Sequence, residues 1–293
     1  MSTTYEVKAS PESVVVDGRA RTMTVVQNQH GDARKVPIVL VFHGSMQTAD
    51  AIRSFTANTF DRIGSESGAI VAYLNGHKKH WNDARVVNTS AARADGMDDV
   101  AFAKAAIDLL VRRYNGNPAQ VFAVGFSNGG QMVIRLIHEM PEALVGAAIL
   151  SATQTVPENF APAAPQDKAL PVMLMHGTED PIVPYAGGMA KMYRFRPRGL
   201  GLSAEETAAY YARRNGITNA PTTTSVSAQV DRTDYVQPGH QSVTLYTVRE
   251  GGHTIPGPKT AHPRFLIGRT DHTLDTAGAI TEFFGLDAHS RQA

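Results

Sequence analysis

The chain of 293 residues has no cysteine and one tryptophan. Without cysteine there is no disulfide, no thiol nucleophile, no iron–sulfur cluster and no cysteine-ligated zinc. Charge is scarce as well: 19% of residues are charged, below the ~25% usual for soluble domains. Lys and Arg total 28 against 27 Asp and Glu, a net charge of +1. No global field therefore draws the chain to nucleic acid or to an acidic membrane. Apolar runs are short. The stretch 143–152 is among the longest, far under the ~18 residues of a membrane span. Residues 1–16 show neither a basic segment nor an apolar one, so no leader is visible and the sequence as it stands is expected in the cytoplasm. A trimmed leader would make it secreted or periplasmic.

What is present is a regular alternation. Residues 14–18 (VVVDG) and 21–28 (RTMTVVQN) read as an antiparallel pair about Asp17-Gly18. Runs at 37–42 (PIVLVF), 69–74, 120–126, 144–150 and 170–175 are almost wholly apolar, as strands buried on both faces are. Between them lie amphipathic helical patterns at 98–114 and 131–140, and a last one at 272–284. Strand–helix alternation of this kind predicts an α/β fold with a mostly parallel sheet covered on both faces. A chain of this length can bury roughly 75% of its unfolded surface in one core. No repeat and no long linker divides it, so 1–293 reads as one domain, with 183–216 as a cap or side insertion.

The strongest chemical signal is Gly125-Phe126-Ser127-Asn128-Gly129, between an apolar strand and an amphipathic helix. That is the setting of a nucleophile elbow, which lifts a serine Oγ to the C-terminal edge of the sheet. A serine needs a base, and the base needs an orienting acid. In chains with such an elbow the order is Ser, acid, His. The strand ending at 175 runs into His176-Gly177-Thr178-Glu179-Asp180, which makes Asp180 the candidate acid, with Glu179 its rival and His176 a packed residue. A strand at 242–250 is followed at once by Gly251-Gly252-His253, so His253 is the candidate base ahead of His240, His262 and His272. An oxyanion needs two backbone donors. The amide of Asn128 supplies one, and the loop His43-Gly44-Ser45-Met46 after the strand 37–42 supplies the other, from Ser45 or also Met46. His43 and Met46 are expected at the substrate.

These pieces resemble the α/β-hydrolase superfamily. They are most similar to the bacterial polyhydroxybutyrate-depolymerase-like and feruloyl-esterase-like proteins related to carbohydrate esterase family one. The matching segments are VFHGS (41–45), HWND (80–83), GMDDVAF (96–102), GFSNGGQM (125–132), HGTEDPIVPY (176–185) and GGHTIPG (251–257). The resemblance implies an α/β-hydrolase fold. It also implies serine ester hydrolysis through an acyl-enzyme by Ser127, Asp180 and His253, with no cofactor. It puts Trp81 near the active-site mouth as a substrate contact. Relatives often carry cysteine where this chain has His80 and Ser45, so any disulfide-held feature of the family is absent.

Other features read more plainly. The stretch 191–198 (KMYRFRPR) reads as a solvated loop rather than a nucleic-acid clamp. His77 and His80 lack a carboxylate set for metal. Asp98 and Asp99 cap a helix. The expected partner is a small or oligomeric ester of feruloyl, short-chain or 3-hydroxyalkanoate type, with no nucleic acid, membrane or metal. Two other readings are an oligopeptidase-like serine peptidase and a non-catalytic binding protein on the same fold.

Overall fold

A computed structural model describes residues 6–28, 34–192, 196–258 and 264–286. A ten-stranded sheet forms its spine. Its strands are β1 (Val7–Val16), β2 (Arg19–Asn28), β3 (Val36–Phe42), β4 (Ile70–Leu74), β5 (Gly116–Phe126), β6 (Gly146–Leu150), β7 (Val172–Gly177), β10 (Thr222–Ser225), β11 (Val230–Tyr235) and β12 (Val243–Val248). The order across the sheet is β1-β2-β4-β3-β5-β6-β7-β12-β11-β10. The six central strands from β4 to β12 run parallel, and each edge is an antiparallel pair. The β1–β2 hairpin turns at Asp17-Gly18, both at positive φ, as a two-residue Asp-Gly loop requires.

The two sheet faces bury different sets of residues because side chains alternate along a strand. From β3, Ile38, Leu40 and Phe42 enter one core, while Val39 and Val41 enter the other. The first core is roofed by α4 (Asp99–Tyr114), α5 (Asn128–Glu139) and α6 (Ala204–Arg214). The second is covered by α1 (Ala49–Phe55), α2 (Asp61–Ser67) and α8 (Thr276–Phe283). Two single-turn helices, α3 (Ala91–Ala94) and α7 (Arg264–Ile267), complete the α-helices among the described residues.

The excursion at 183–216 divides in two. Its second half, α6, is part of the main core, with Ala204, Ala208, Tyr211 and Ala212 buried against the sheet. A capping box between Ser203 and Glu206 starts that helix. Only the first half stands aside, as the hairpin β8 (Gly188–Met192) and β9 (Arg196–Gly201). The helix expected over 272–284 starts at Thr276, because Asp271 first ties its side chain to the amides of Thr273 and Leu274. The far-edge pair β10–β11 has no apolar signal in the sequence: every residue of β10 is exposed.

Parallel strands present their C-terminal ends at one edge, and chemistry gathers in the loops there. Here those loops follow β3, β5, β7 and β12, and they carry Ser45, Ser127, Asp180 and His253.

Candidate active site

Ser127 sits between β5 and α5 with φ 55° and ψ −113°, a conformation costly for a residue with a Cβ. The crossing backbones around it explain the glycines. A Cβ on Gly125 would lie 2.2 Å from the Gly129 carbonyl oxygen, and one on Gly129 would lie 2.0 Å from that of Phe42. The elbow is pinned by the Ser127 amide donating to the Leu150 carbonyl at 2.8 Å. The Ser127 carbonyl in turn accepts from the Gln131 amide at 3.0 Å, which starts α5.

The histidine and the acid meet this serine from the next loops. His253 Nε2 lies 2.8 Å from Ser127 Oγ, and His253 Nδ1 lies 2.7 Å from Asp180 Oδ2. The ionised carboxylate accepts from Nδ1–H, so Nε2 is left to accept the serine proton. The His253 loop passes close to its neighbours. A Cβ on Gly252 would fall 2.1 Å from the Ile267 carbonyl oxygen, and the His253 amide donates to that same oxygen at 2.6 Å.

Asp180 is buried, and its second oxygen is held as firmly as its first. Oδ1 accepts from the amides of Ile182 and Val183, both at 2.8 Å. Burial opposes the charge, but the pull of His253 and the hydrogen bonds from His176 and His253 outweigh it. They hold the carboxyl well below the usual carboxylate range. His176 is buried beside it, 2.8 Å from the Val183 carbonyl and 3.4 Å from Asp180 Oδ2. It therefore braces the loop that carries the acid. Glu179 is exposed. His240 and His272 bond to the carbonyls of Asn215 and Gly257, away from the serine, and His262 lies outside the described residues.

The amide of Asn128 is the first of α5 and has no acceptor within the helix. Across the cleft, the amide of Ser45 makes no hydrogen bond among the described residues. That of Met46 donates to the Lys79 carbonyl at 2.9 Å, so of these two loop amides Ser45's is the open one. Gln47 fixes the turn by accepting the Gly44 amide at 2.8 Å, a tether that only its place in the loop could have hinted at.

Three expected substrate contacts are corrected. Trp81 is fully buried, stacked edge-on to Phe42 and beside His43, with its indole N–H donating to the His43 carbonyl at 2.8 Å. It supports the loop at 43–46 from behind and has no face open to a ligand. His43 is also fully buried. Its Nε2 accepts the Gly76 amide at 2.9 Å and its Nδ1–H donates to the Gly44 carbonyl at 2.7 Å. Burial lowers its pKa to about 4, which keeps it neutral. Met46 is exposed and lies outside the lining of the serine cleft.

The sequence also left one network unseen. The Asn128 side chain donates through Nδ2 to Asp83 and accepts the Trp81 amide at 3.0 Å. Asp83, fully buried, pairs with Arg85. Asp98 does cap α4, but Asp99 turns inward to Arg21 at 2.6 Å and accepts the Asn82 amide at 2.7 Å. Together these anchors hold the HWND loop against the elbow.

The cleft itself is lined by Ser45, Ser127 and Asn128, with Arg85 and Gln131 on one side and Arg198 and Leu200 of the β8–β9 hairpin on the other. Of the basic-aromatic stretch 191–198, residues 193–195 lie outside the described residues. Among the described residues no group of His, Asp and Glu could hold a metal ion, and no helix is long and apolar enough to cross a membrane. His77 instead bonds Asp95 at 2.8 Å.

Residues 22–196 match the phospholipase/carboxylesterase family. NocK of Nocardia uniformis subsp. tsuyamanensis, which carries the name of an esterase, is 27% identical over 95% of this chain and 83% of its own length. Feruloyl esterase B of Piromyces equi is 25% identical over 75% of this chain, which spans only 40% of that enzyme. Among solved structures, acetyl xylan esterase from Aspergillus awamori superposes with a TM-score of 0.64 at 14% identity, covering 94% of this chain and 99% of that one. With its fold and more than half its length in register, the chain belongs to the phospholipase/carboxylesterase family of α/β-hydrolases and is a carboxylesterase-type hydrolase.

Proposed function

We propose that the protein hydrolyses carboxylic esters through an acyl-enzyme formed on Ser127. His253 takes the serine proton and later returns it to the leaving alcohol. Asp180 holds the imidazole in the required tautomer and supports its charge. The amides of Ser45 and Asn128 receive the oxyanion. The observation that carries this reading is the unbroken chain from Ser127 Oγ to His253 at 2.8 Å and on to Asp180 at 2.7 Å, at a strained elbow. Its substrates are soluble esters and short oligomers of feruloyl, short-chain acyl or 3-hydroxyalkanoate type. The first of these is supported by the likeness to a feruloyl esterase. The polyhydroxybutyrate-depolymerase-like reading rests on the sequence motifs alone.

The test pairs a chromogenic acetate or butyrate ester with an aminoacyl amide. The ester is expected to turn over and the amide to remain. Ser127→Ala and His253→Ala are expected to lower kcat by roughly a million-fold while the fold melts as before. Substantial ester turnover by either variant, or faster amide than ester cleavage, contradicts the proposal.

A further inference from the structure

Gln131 follows Ser127 by one turn of helix, its amide bonded to the Ser127 carbonyl at 3.0 Å, and both residues line the cleft. Gln131 is 5% exposed, and its Nε2 donates to the Thr153 carbonyl at 2.8 Å. That bond fixes the side-chain amide. Nε2 is spent, and Oε1 is left over, buried and with no hydrogen-bond partner. Thr155, 3% exposed, lines the same cleft, and its Oγ1 is buried and unpartnered too. Its backbone is held to the wall by a bridge to Gly201 of β9.

An amide oxygen only accepts, so Gln131 Oε1 calls for an O–H or N–H from whatever fills the cleft. A carboxylate there would set lone pairs against lone pairs. Arg85 on the same wall does not call one in, because the buried Asp83 already matches its charge. A threonine hydroxyl both donates and accepts. A neutral hydroxyl therefore suits both atoms, donating to Gln131 and accepting from Thr155. Leaving them unpaired costs free energy that such a group recovers and a purely aliphatic chain does not.

In the tetrahedral intermediate the oxyanion points to the amides of Ser45 and Asn128, and the leaving oxygen faces His253 Nε2. The acyl chain takes the remaining direction. Ser45, Ser127 and Asn128 line the cleft and His253 does not, so the cleft is the place of the acyl chain.

We propose that Gln131 Oε1 and Thr155 Oγ1 form an acyl-side subsite for a neutral hydroxyl. Acyl groups that carry a hydroxyl are then favoured over counterparts with a methyl group in its place. Short hydroxyalkanoyl and hydroxycinnamoyl esters share this chemistry. The proposal rests on the acyl-enzyme reading above and adds to it the two residues that select the acyl group.

The test is the ratio of kcat/KM for a hydroxylated ester to that for its methyl isostere, followed in a pH-stat at neutral pH. Methyl 3-hydroxybutyrate against methyl 3-methylbutyrate reads an aliphatic hydroxyl. Methyl 4-hydroxycinnamate against methyl 4-methylcinnamate reads a phenol. 2-Hydroxyethyl acetate against propyl acetate moves the hydroxyl to the alcohol side. In at least one acyl pair the hydroxyl is expected to be favoured at least about fivefold, the scale of one neutral hydrogen bond, while the alcohol pair stays near one. Gln131→Met keeps the side-chain length and drops the oxygen, and Thr155→Val removes the hydroxyl at constant shape. Each should bring the acyl ratio towards one. A merely structural role for either residue would lower both rates and leave the ratio alone. If Gln131→Met fails to fold, Thr155→Val still reads the ratio. Smaller ratios in both acyl pairs, with the isosteres still hydrolysed, overturn the proposal. So does a preference confined to the alcohol pair, or one left whole by either folded variant. Failure to hydrolyse any ester would instead overturn the acyl-enzyme reading on which it stands.

Discussion

Asp180 and Glu179 are adjacent carboxylates with different surroundings. One is buried and accepts from two amides and a histidine, and the other is exposed. Asp180→Asn is therefore expected to lower kcat by about 10⁴, since an amide can no longer hold the His253 tautomer or its developing charge. Glu179→Gln should change it little. Steady-state kinetics on a chromogenic ester decides, and the reverse order would move the acid to Glu179. That Ser127, Asp180 and His253 come together was legible because each lies at a fixed place relative to a strand end. Trp81, His43 and Met46 were misplaced because nearness in a motif does not say which way a side chain turns. The indole of Trp81 turns inward to the His43 carbonyl, and the Met46 amide is spent on Lys79. Asp99 was equally illegible, since only the fold brings Arg21 of the opening hairpin to it.

The elbow is where local sequence and tertiary packing constrain each other most tightly. β5 and α5 meet so closely that the Gly129 Cα faces the Phe42 carbonyl of the neighbouring strand. Gly129→Ala is expected to push α5 from β3, lowering the melting temperature and cutting esterase activity by at least a hundredfold, because the Asn128 amide moves with the helix. Gly239→Ala offers a contrast: its Cβ meets nothing within 4 Å, so only the strain of its positive φ remains and activity should persist. Equal activity in the two variants would contradict the packing argument. The parallel strands and main helices could be read in the sequence because buried strands are continuous apolar runs and helices carry a one-sided stripe. The edge pair β10–β11 and the hairpin β8–β9 could not. β10 reads TTTS and is fully exposed, and β9 is rich in Arg and Gly, so neither has the alternation that marks a half-buried strand. Helix α6 was read as part of a cap because its polar face dominates the sequence, while Ala204, Ala208 and Tyr211 pack inward.

Over the whole molecule, two buried histidines set a pH window. Burial lowers His43 and His138 from 6.5 to about 4 each. Both are neutral in the folded protein, His138 accepting from the Tyr210 hydroxyl while its Nδ1–H bonds the Ile134 carbonyl. Their folded pKa values lie below the unfolded ones. The stability they contribute is therefore complete above about pH 6.5 and is lost as pH falls towards 4. Asp180 acts lower still, since its stabilisation persists until the pH drops below the ordinary carboxylate range. Calorimetry should show a melting temperature lower at pH 4.5 than at pH 7 by on the order of 10 °C, and His138→Gln should flatten part of that slope. A flat profile would contradict the assignment of both histidines as buried and neutral. The central claim is that the assembled fold makes one serine nucleophilic. Intact-mass spectrometry of the full chain after a fluorophosphonate treatment, followed by peptide mapping, tests it most directly. The account predicts a single adduct, on Ser127, that is absent in Ser127→Ala and slowed in His253→Ala. An adduct on another serine, or an unmodified chain that nonetheless hydrolyses esters, would contradict it.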